Sequence, residues 1–409
     1  MNILGRQALV LWVFWTLAMP LVSATTEQLR NIMYFCGQDT ILTSSAKALL
    51  TKYHSQHPTV PNSLLTSQIS HVVMAFMDSN IFNREEPSSD WPLFMTVKET
   101  RAQFAPGTKI MVAIGGWGDT AGFSFAAATD EGRQRWARNV AVMLRETGAD
   151  GVDIDWEYPG GNGEDYKQVP NEHKAWEIQA YPFLMAEIRT AIGPDKLISV
   201  AVPGLPRDML PFTAETLPTI MESVDFLNVM TYEMMNRRDT ITKHHAGKVA
   251  ARESLNNYIK NGVRPGDLNL GFAFYTKFYR TEHHTCLQSP IGCSTLLMED
   301  PKTGVDMGRT GAFAWADEVP AEMQVSFSKV LRDGQYDEVG GGYYYWDADQ
   351  DLWWSHETPG SIGDKFGLVR ELGLGGVFAW ELGADGPEYS RLAALNAAVG
   401  GSRRGKDEL

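Results

Sequence analysis

The stretch Asp150-Gly151-Val152-Asp153-Ile154-Asp155-Trp156-Glu157 decides the fold. Its parity is that of a β-strand, in which successive side chains point to opposite faces. Asp153, Asp155 and Glu157 share one face, and Val152, Ile154 and Trp156 take the other. A solvated edge strand has no use for so apolar a face. A strand buried on both sides gains no stability from three acids, because an unpaired buried charge is costly. The pattern therefore predicts a strand with helices against its apolar side and a reactive interior on the other. Asp150 has the opposite parity and is expected to start the strand or make a supporting hydrogen bond.

Short apolar runs of the same kind recur on both sides of this stretch. Upstream are residues 31–36 (NIMYFC), 69–76 (ISHVVMAF) and 109–114 (KIMVAI). Downstream are 196–203 (KLISVAVP), 224–232 (VDFLNVMTY), 268–274 (LNLGFAF) and 375–380 (GGVFAW). Near-continuous apolar strands suit a parallel sheet covered on both faces. The segments between them read as helices. Trp136, Val140, Met143 and Leu144 fall on one helical face, with Thr129 to cap its start and Gly148 to stop it. Tyr181, Leu184, Met185, Ile188 and Ile192 repeat the pattern before Gly193-Pro194. Strand then helix, eight times over, predicts an α/β fold, the (β/α)8 TIM barrel. The long interval between the seventh and eighth runs predicts a small α+β insertion at about 280–350, holding a helix near 322–331 and a strand near 342–346.

The barrel also assigns roles to the acids. Its active site lies at the C-terminal ends of the strands, which makes Glu157, the last acid, the proton donor. Asp155, about 6.6 Å deeper by strand rise, is its charge partner. Asp153, deeper again, can hold a shared proton, since neighbouring carboxylates cannot all ionise.

The 409 residues carry a net charge of -14, which argues against nucleic acid and anionic membranes as partners and leaves a neutral polymer compatible. Hydrophobic residues reach 44% and Trp numbers twelve, enough for a large core with aromatic surface to spare. Arg6, the apolar run 8–21 and Val22-Ser23-Ala24 read as a signal peptide over 1–24 rather than a membrane span. The catalytic unit is then 25–400. The tail 401–409 ends in Lys406-Asp407-Glu408-Leu409, a retention signal of the endoplasmic reticulum, and 400–405 reads as the flexible stalk presenting it. The expected location is that lumen, or outside the cell after escape, with no membrane attachment once the signal is removed. In that oxidising compartment Cys286 and Cys293 are expected to pair, leaving Cys36 free. Three Cys without clustered His give no metal site.

The eight residues quoted first resemble the D-x-x-D-x-D-x-E signature of glycoside hydrolase family 18, complete at Asp150, Asp153, Asp155 and Glu157. Tyr158-Pro159-Gly160 continues in the manner of the family's chitinases. The likeness runs from about 28 to 398 and is greatest to fungal members. Ala113-Ile114-Gly115-Gly116-Trp117 resembles the family's Ser-x-Gly-Gly motif, with Ala113 where the Ser stands. That Ser would hydrogen-bond the deepest Asp, so support for Asp153 is in question. Met230-Thr231-Tyr232-Glu233 resembles Met-x-Tyr-Asp, with Glu233 one methylene longer than the Asp. Trp380 matches the Trp that floors the sugar subsite, and Tyr34 and Phe76 match aromatic positions of the same cavity.

The resemblance implies a chitinase acting on chitin or chito-oligosaccharides through a retaining, substrate-assisted mechanism, one of the exceptions to the two-carboxylate scheme. Glu157, Asp155, Asp153 and Tyr232 would be catalytic. Trp380, Glu233, Met230, Trp117, Tyr34 and Phe76 would bind sugar. A monomer without cofactor is expected. Two rivals are an endo-β-N-acetylglucosaminidase acting on N-glycans, to which the retention signal points, and a chitin-binding lectin, against which the intact Glu157 argues.

Overall fold

The structure, a computed structural model, describes residues 28–37, 63–315, 317–386 and 388–407. The expected signal peptide and the last two residues of the retention signal lie outside the described residues. Among the described residues thirteen strands are formed: β1 (Arg30–Cys36), β2 (His71–Met77), β3 (Lys109–Gly115), β4 (Gly151–Asp155), β5 (Leu197–Pro203), β6 (Phe226–Met230), β7 (Leu268–Ala273), β8 (Tyr275–Arg280), β9 (Thr310–Ala314), β10 (Gln335–Asp337), β11 (Gly342–Asp347), β12 (Leu352–His356) and β13 (Gly376–Trp380).

Strands β1 to β7 and β13 close into a parallel barrel in the order β1-β13-β7-β6-β5-β4-β3-β2. They coincide with the eight apolar runs. Alternation sorts their side chains as expected. Val152, Ile154 and Trp156 join the core between barrel and helices, and Trp156 stacks on Phe123 with ring centroids 5.3 Å apart. Tyr34, Ala75, Met111, Ala113 and Phe378 belong to a second cluster inside the barrel. The helix Asp130–Thr147 begins where the Thr129 side chain accepts from the Gly132 N–H. It ends at Gly148, whose φ of 74° is left-handed and suits glycine. Asp150 accepts from the Ile110 N–H at 2.8 Å and meets Arg101 at 2.9 Å, the supporting role its parity implied.

Three boundaries differ from expectation. The inserted unit runs from Tyr275 to His356, wider than 280–350, as an antiparallel sheet in the order β10-β11-β12-β8-β9. Only Phe274 separates β7 from β8, so no turn residue marks where the barrel is left. Strand β4 stops at Asp155 instead of Glu157, because its ladder to β5 ends at the Ile154–Val200 pair and its ladder to β3 at the Gly115–Asp155 pair. The segment 400–405, expected to be a stalk, continues the last helix, Ser390–Asp407. Cys286 and Cys293 are joined, and Cys36 is free and buried. Among the described residues no helix is long and apolar enough to cross a membrane.

Candidate active site

The C-terminal mouth of the barrel opens into a cavity of about 380 Å³. Nine of the ten expected site residues line it: Tyr34, Phe76, Trp117, Asp155, Glu157, Met230, Tyr232, Glu233 and Trp380. The tenth, Asp153, lies fully buried beneath. The floor is aromatic. Trp380 stacks with Phe76 at 5.4 Å between centroids and tilts against Tyr34 at 5.5 Å. Tyr232 sets its ring against Phe378 at 5.9 Å. A flat apolar floor under a rim of polar groups suits a pyranose ring, which has an apolar face and hydroxyl edges.

The acids stand in order of depth. Asp153 accepts from the Ser199 hydroxyl at 2.5 Å, the Tyr34 phenol at 2.8 Å and the Asn228 amide at 3.4 Å. Burial pushes its carboxyl up to about 6, and those three donors hold it from rising further. Asp155 is raised well above the carboxylate range by burial, then by the charges of Glu157 and Asp153. Its Oδ1 is buried and has no hydrogen-bond partner among the described residues. Glu157 is pushed up to about 8 by burial, opposed by a hydrogen bond from Tyr158 and assisted by Glu233 and Asp208. The phenol of Tyr232 is raised by burial and by Asp155, which keeps it a donor at neutral pH. The site thus presents a protonated carboxylic acid, an unsatisfied acceptor and a phenolic donor around one aromatic floor. Among the described residues no group of three or more His, Cys, Asp and Glu is placed to hold a metal.

The profile of glycosyl hydrolases family 18 matches residues 33–385. This chain belongs to glycoside hydrolase family 18. Endochitinase 1 of Metarhizium robertsii is 26% identical over 379 residues, covering 83% of this chain and 81% of that protein. Nod factor hydrolase protein 1 of Medicago truncatula is 25% identical over 356 residues, covering 82% and 86%. A solved chitinase from Rhizomucor miehei superposes with a TM-score of 0.70 at 18% identity, over 90% of this chain and 99% of that one. At that identity the superposition speaks for the barrel alone.

Two departures from the family 18 motifs are accommodated in the structure. Ala113 sits opposite Asp153 on β3 and offers no donor, but Ser199 sits opposite Asp153 on the other neighbour, β5. Asp153 therefore lacks no support. Glu233, a non-glycine residue at φ 54°, is held by Lys277 at 2.6 Å and by the Tyr275 phenol at 2.9 Å. Residues held in that sparse region mark constrained sites. The longer Glu233 side chain thus ends on β8, in the inserted unit.

Sequence reasoning missed the rim. Asn162, Asp208, Arg237, Arg238 and Lys277 also line the cavity. The Arg238 guanidinium lies 3.7 Å over the Tyr166 ring, and Tyr166 hydrogen-bonds Glu299. Lys167 and Gln168 donate to the carbonyls of Pro301 and Thr303 at 2.9 and 2.7 Å. The loop after β4 is thereby fastened to the inserted unit, and one wall of the cleft is built from both. Asn162, Arg237 and Arg238 sit in loops without periodicity, Asp208 in a short 3-10 turn and Lys277 on β8 of the inserted unit, so no sequence signal singled them out. Ser199 had one: it is the lone polar residue in the apolar run 197–203.

Proposed function

We propose that the chain is a chitinase that hydrolyses β-1,4 bonds between N-acetylglucosamine units with retention of configuration, using the substrate's own acetamido group as nucleophile. The observation that carries this reading is the pairing of Glu157, protonated at neutral pH, with Asp155, whose Oδ1 has no partner among the described residues. The acid is ready to donate, and the neighbouring carboxyl is ready to accept an amide N–H.

With a sugar chain over Trp380, Glu157 gives its proton to the glycosidic oxygen as the bond to the anomeric carbon breaks. The acetamido carbonyl oxygen attacks that carbon from the opposite side and forms an oxazolinium ion. Asp155 holds the acetamido N–H and stabilises the positive charge. Tyr232 donates to the acetamido oxygen and favours the attacking pose. Water then adds to the anomeric carbon, its proton passes to Glu157, and the acetamido group is restored. The signal-like N-terminus, the C-terminal Lys-Asp-Glu-Leu and the Cys286–Cys293 bridge support work in the lumen of the secretory pathway.

The test is product analysis on the N-acetylglucosamine hexamer by NMR. The expected products are shorter oligomers whose new reducing ends are initially β, while the fully deacetylated hexamer stays intact. Initial α products, or equal cleavage of the deacetylated chain, would overturn the reading.

A further inference from the structure

Asp153 is the deepest of the three acids, and it receives its hydrogen bonds from strands other than β3. In the β3–β4 register its partner is Ala113, a methyl group. In the β4–β5 register its partner is Ser199, fully buried, whose hydroxyl reaches Oδ1 at 2.5 Å. The two positions flank Asp153 at one level of the barrel. Beyond Ser199, Asn228 on β6 donates to Asp153 and to the Tyr34 oxygen, the latter at 3.1 Å. Asn228 in turn accepts from Asn269 at 2.9 Å, and Asn269 from Arg30 at 2.9 Å, at the N-terminal end of the barrel. A polar column thus runs through an otherwise apolar interior and ends on one carboxyl.

We infer that Ser199 is a positioning residue for the hydrolytic reaction: its hydroxyl, acting from β5, orients Asp153 and stabilises its anion, which sets the pH at which the Asp153–Asp155 pair first takes on a negative charge. This rests on the proposed chitinase reading for its kinetic consequence but not for its chemistry. The groups facing Asp153 are the Tyr34 phenol from β1, Asp155 from its own strand, and the phenols of Tyr181 and Tyr232 within electrostatic reach. None of these is a cation, so neutral donors hold the anion, and Ser199 is the shortest of them. Loss of one hydrogen bond to a charged group corresponds to about one pH unit. The active form carries one proton on the Asp153–Asp155 pair and one on Glu157. Weakening the Asp153 anion therefore moves the acid limb of the rate profile upward.

The experiment compares wild type, Ser199→Ala and the double variant Ala113→Ser with Ser199→Ala. It reads kcat and KM against pH on the N-acetylglucosamine hexamer, and the Asp153 titration by carbon-13 NMR of carboxyl-labelled aspartate, assigned with Asp153→Asn. The expected result for Ser199→Ala is an acid limb and an NMR midpoint both about one unit higher, with KM unchanged. The double variant is expected to return both toward wild type, because a hydroxyl again faces Asp153 from β3. If Ser199→Ala does not fold, Ser199→Cys keeps the volume with a weaker donor and is expected to shift both readouts in the same direction. Superimposable profiles and midpoints, or a uniform loss that Ala113→Ser does not relieve, would overturn the inference. Should wild type leave the hexamer intact, the chitinase reading fails, and the NMR midpoints alone decide the role of Ser199.

Discussion

Two groups of buried acids lie in the same barrel and are treated in opposite ways. Glu357, just after β12, is almost fully enclosed and meets the Lys365 ammonium at 3.1 Å and the Ala273 N–H at 2.6 Å. Lys365 also donates to the carbonyls of Thr231 and Gly271, and Arg391 donates to the Glu357 carbonyl while pairing with Asp385. Every charge there has a counter-charge or a hydrogen bond. The acids of β4 and its end are equally buried and, among the described residues, none of them forms an ion pair with a cation. Among those residues Asp155 even lacks a hydrogen-bond partner on one oxygen. Buried acids that are paired lock the inserted unit onto the barrel. Buried acids left without cations have their carboxyls pushed up, and Glu157, pushed up to about 8, keeps the proton near neutral pH that acid catalysis requires.

The contrast breaks most sharply under single substitution. Glu157→Gln is expected to lower kcat by about 10²–10⁴-fold with oligomer binding retained, as read by initial rates and calorimetry. Glu357→Gln is expected to do the reverse. It leaves Lys365 buried without its counter-charge and destabilises the fold by about 3–5 kcal/mol, visible in denaturant unfolding, while each folded molecule keeps its rate. Replacing Glu357 and Lys365 together by apolar residues of similar size should destabilise much less.

pH sharpens the same contrast. Glu157 lies near 8 and Asp153 near 6, both above their unfolded values. The folded state therefore holds these protons more tightly than the unfolded chain. Their contribution to stability is full below the ordinary carboxylate range and is lost as pH rises through about 6 and then about 8. Activity is expected to fall about tenfold per unit above pH 8, where Glu157 has lost its proton, whereas the melting temperature should fall between the ordinary carboxylate range and about pH 8 and level off above it. Glu157→Gln should melt higher than wild type at alkaline pH and show little difference at pH 4. The smallest effect concerns the rim. Lys277→Ala leaves Glu233 without its cation and more repulsive to Glu157. The basic limb should move up by a few tenths of a unit, with a few-fold change in KM.

The strand pattern made the barrel and its three acids legible, because period-two alternation survives wherever a strand has helices behind it. Even the premature end of β4 left Glu157 in the cavity, since Trp156 stays anchored on Phe123. What alternation cannot convey is which neighbour supplies a donor. Ala113 read as a missing support for Asp153, and only the β4–β5 register shows the hydroxyl on the other side. The cleft wall was hidden for another reason. Arg238, Tyr166 and Glu299 come together from three loops, and the start of the inserted unit at Tyr275 has no turn residue to announce it.

The central claim is that a single protonated acid at the end of β4 performs the chemistry. It is tested most directly by following the N-acetylglucosamine hexamer with wild type and Glu157→Gln side by side, near neutral pH. Wild type should release short oligomers with β reducing ends, and Glu157→Gln should bind the hexamer and release none at a comparable rate. Retention of more than a tenth of the wild-type rate by Glu157→Gln would contradict the account.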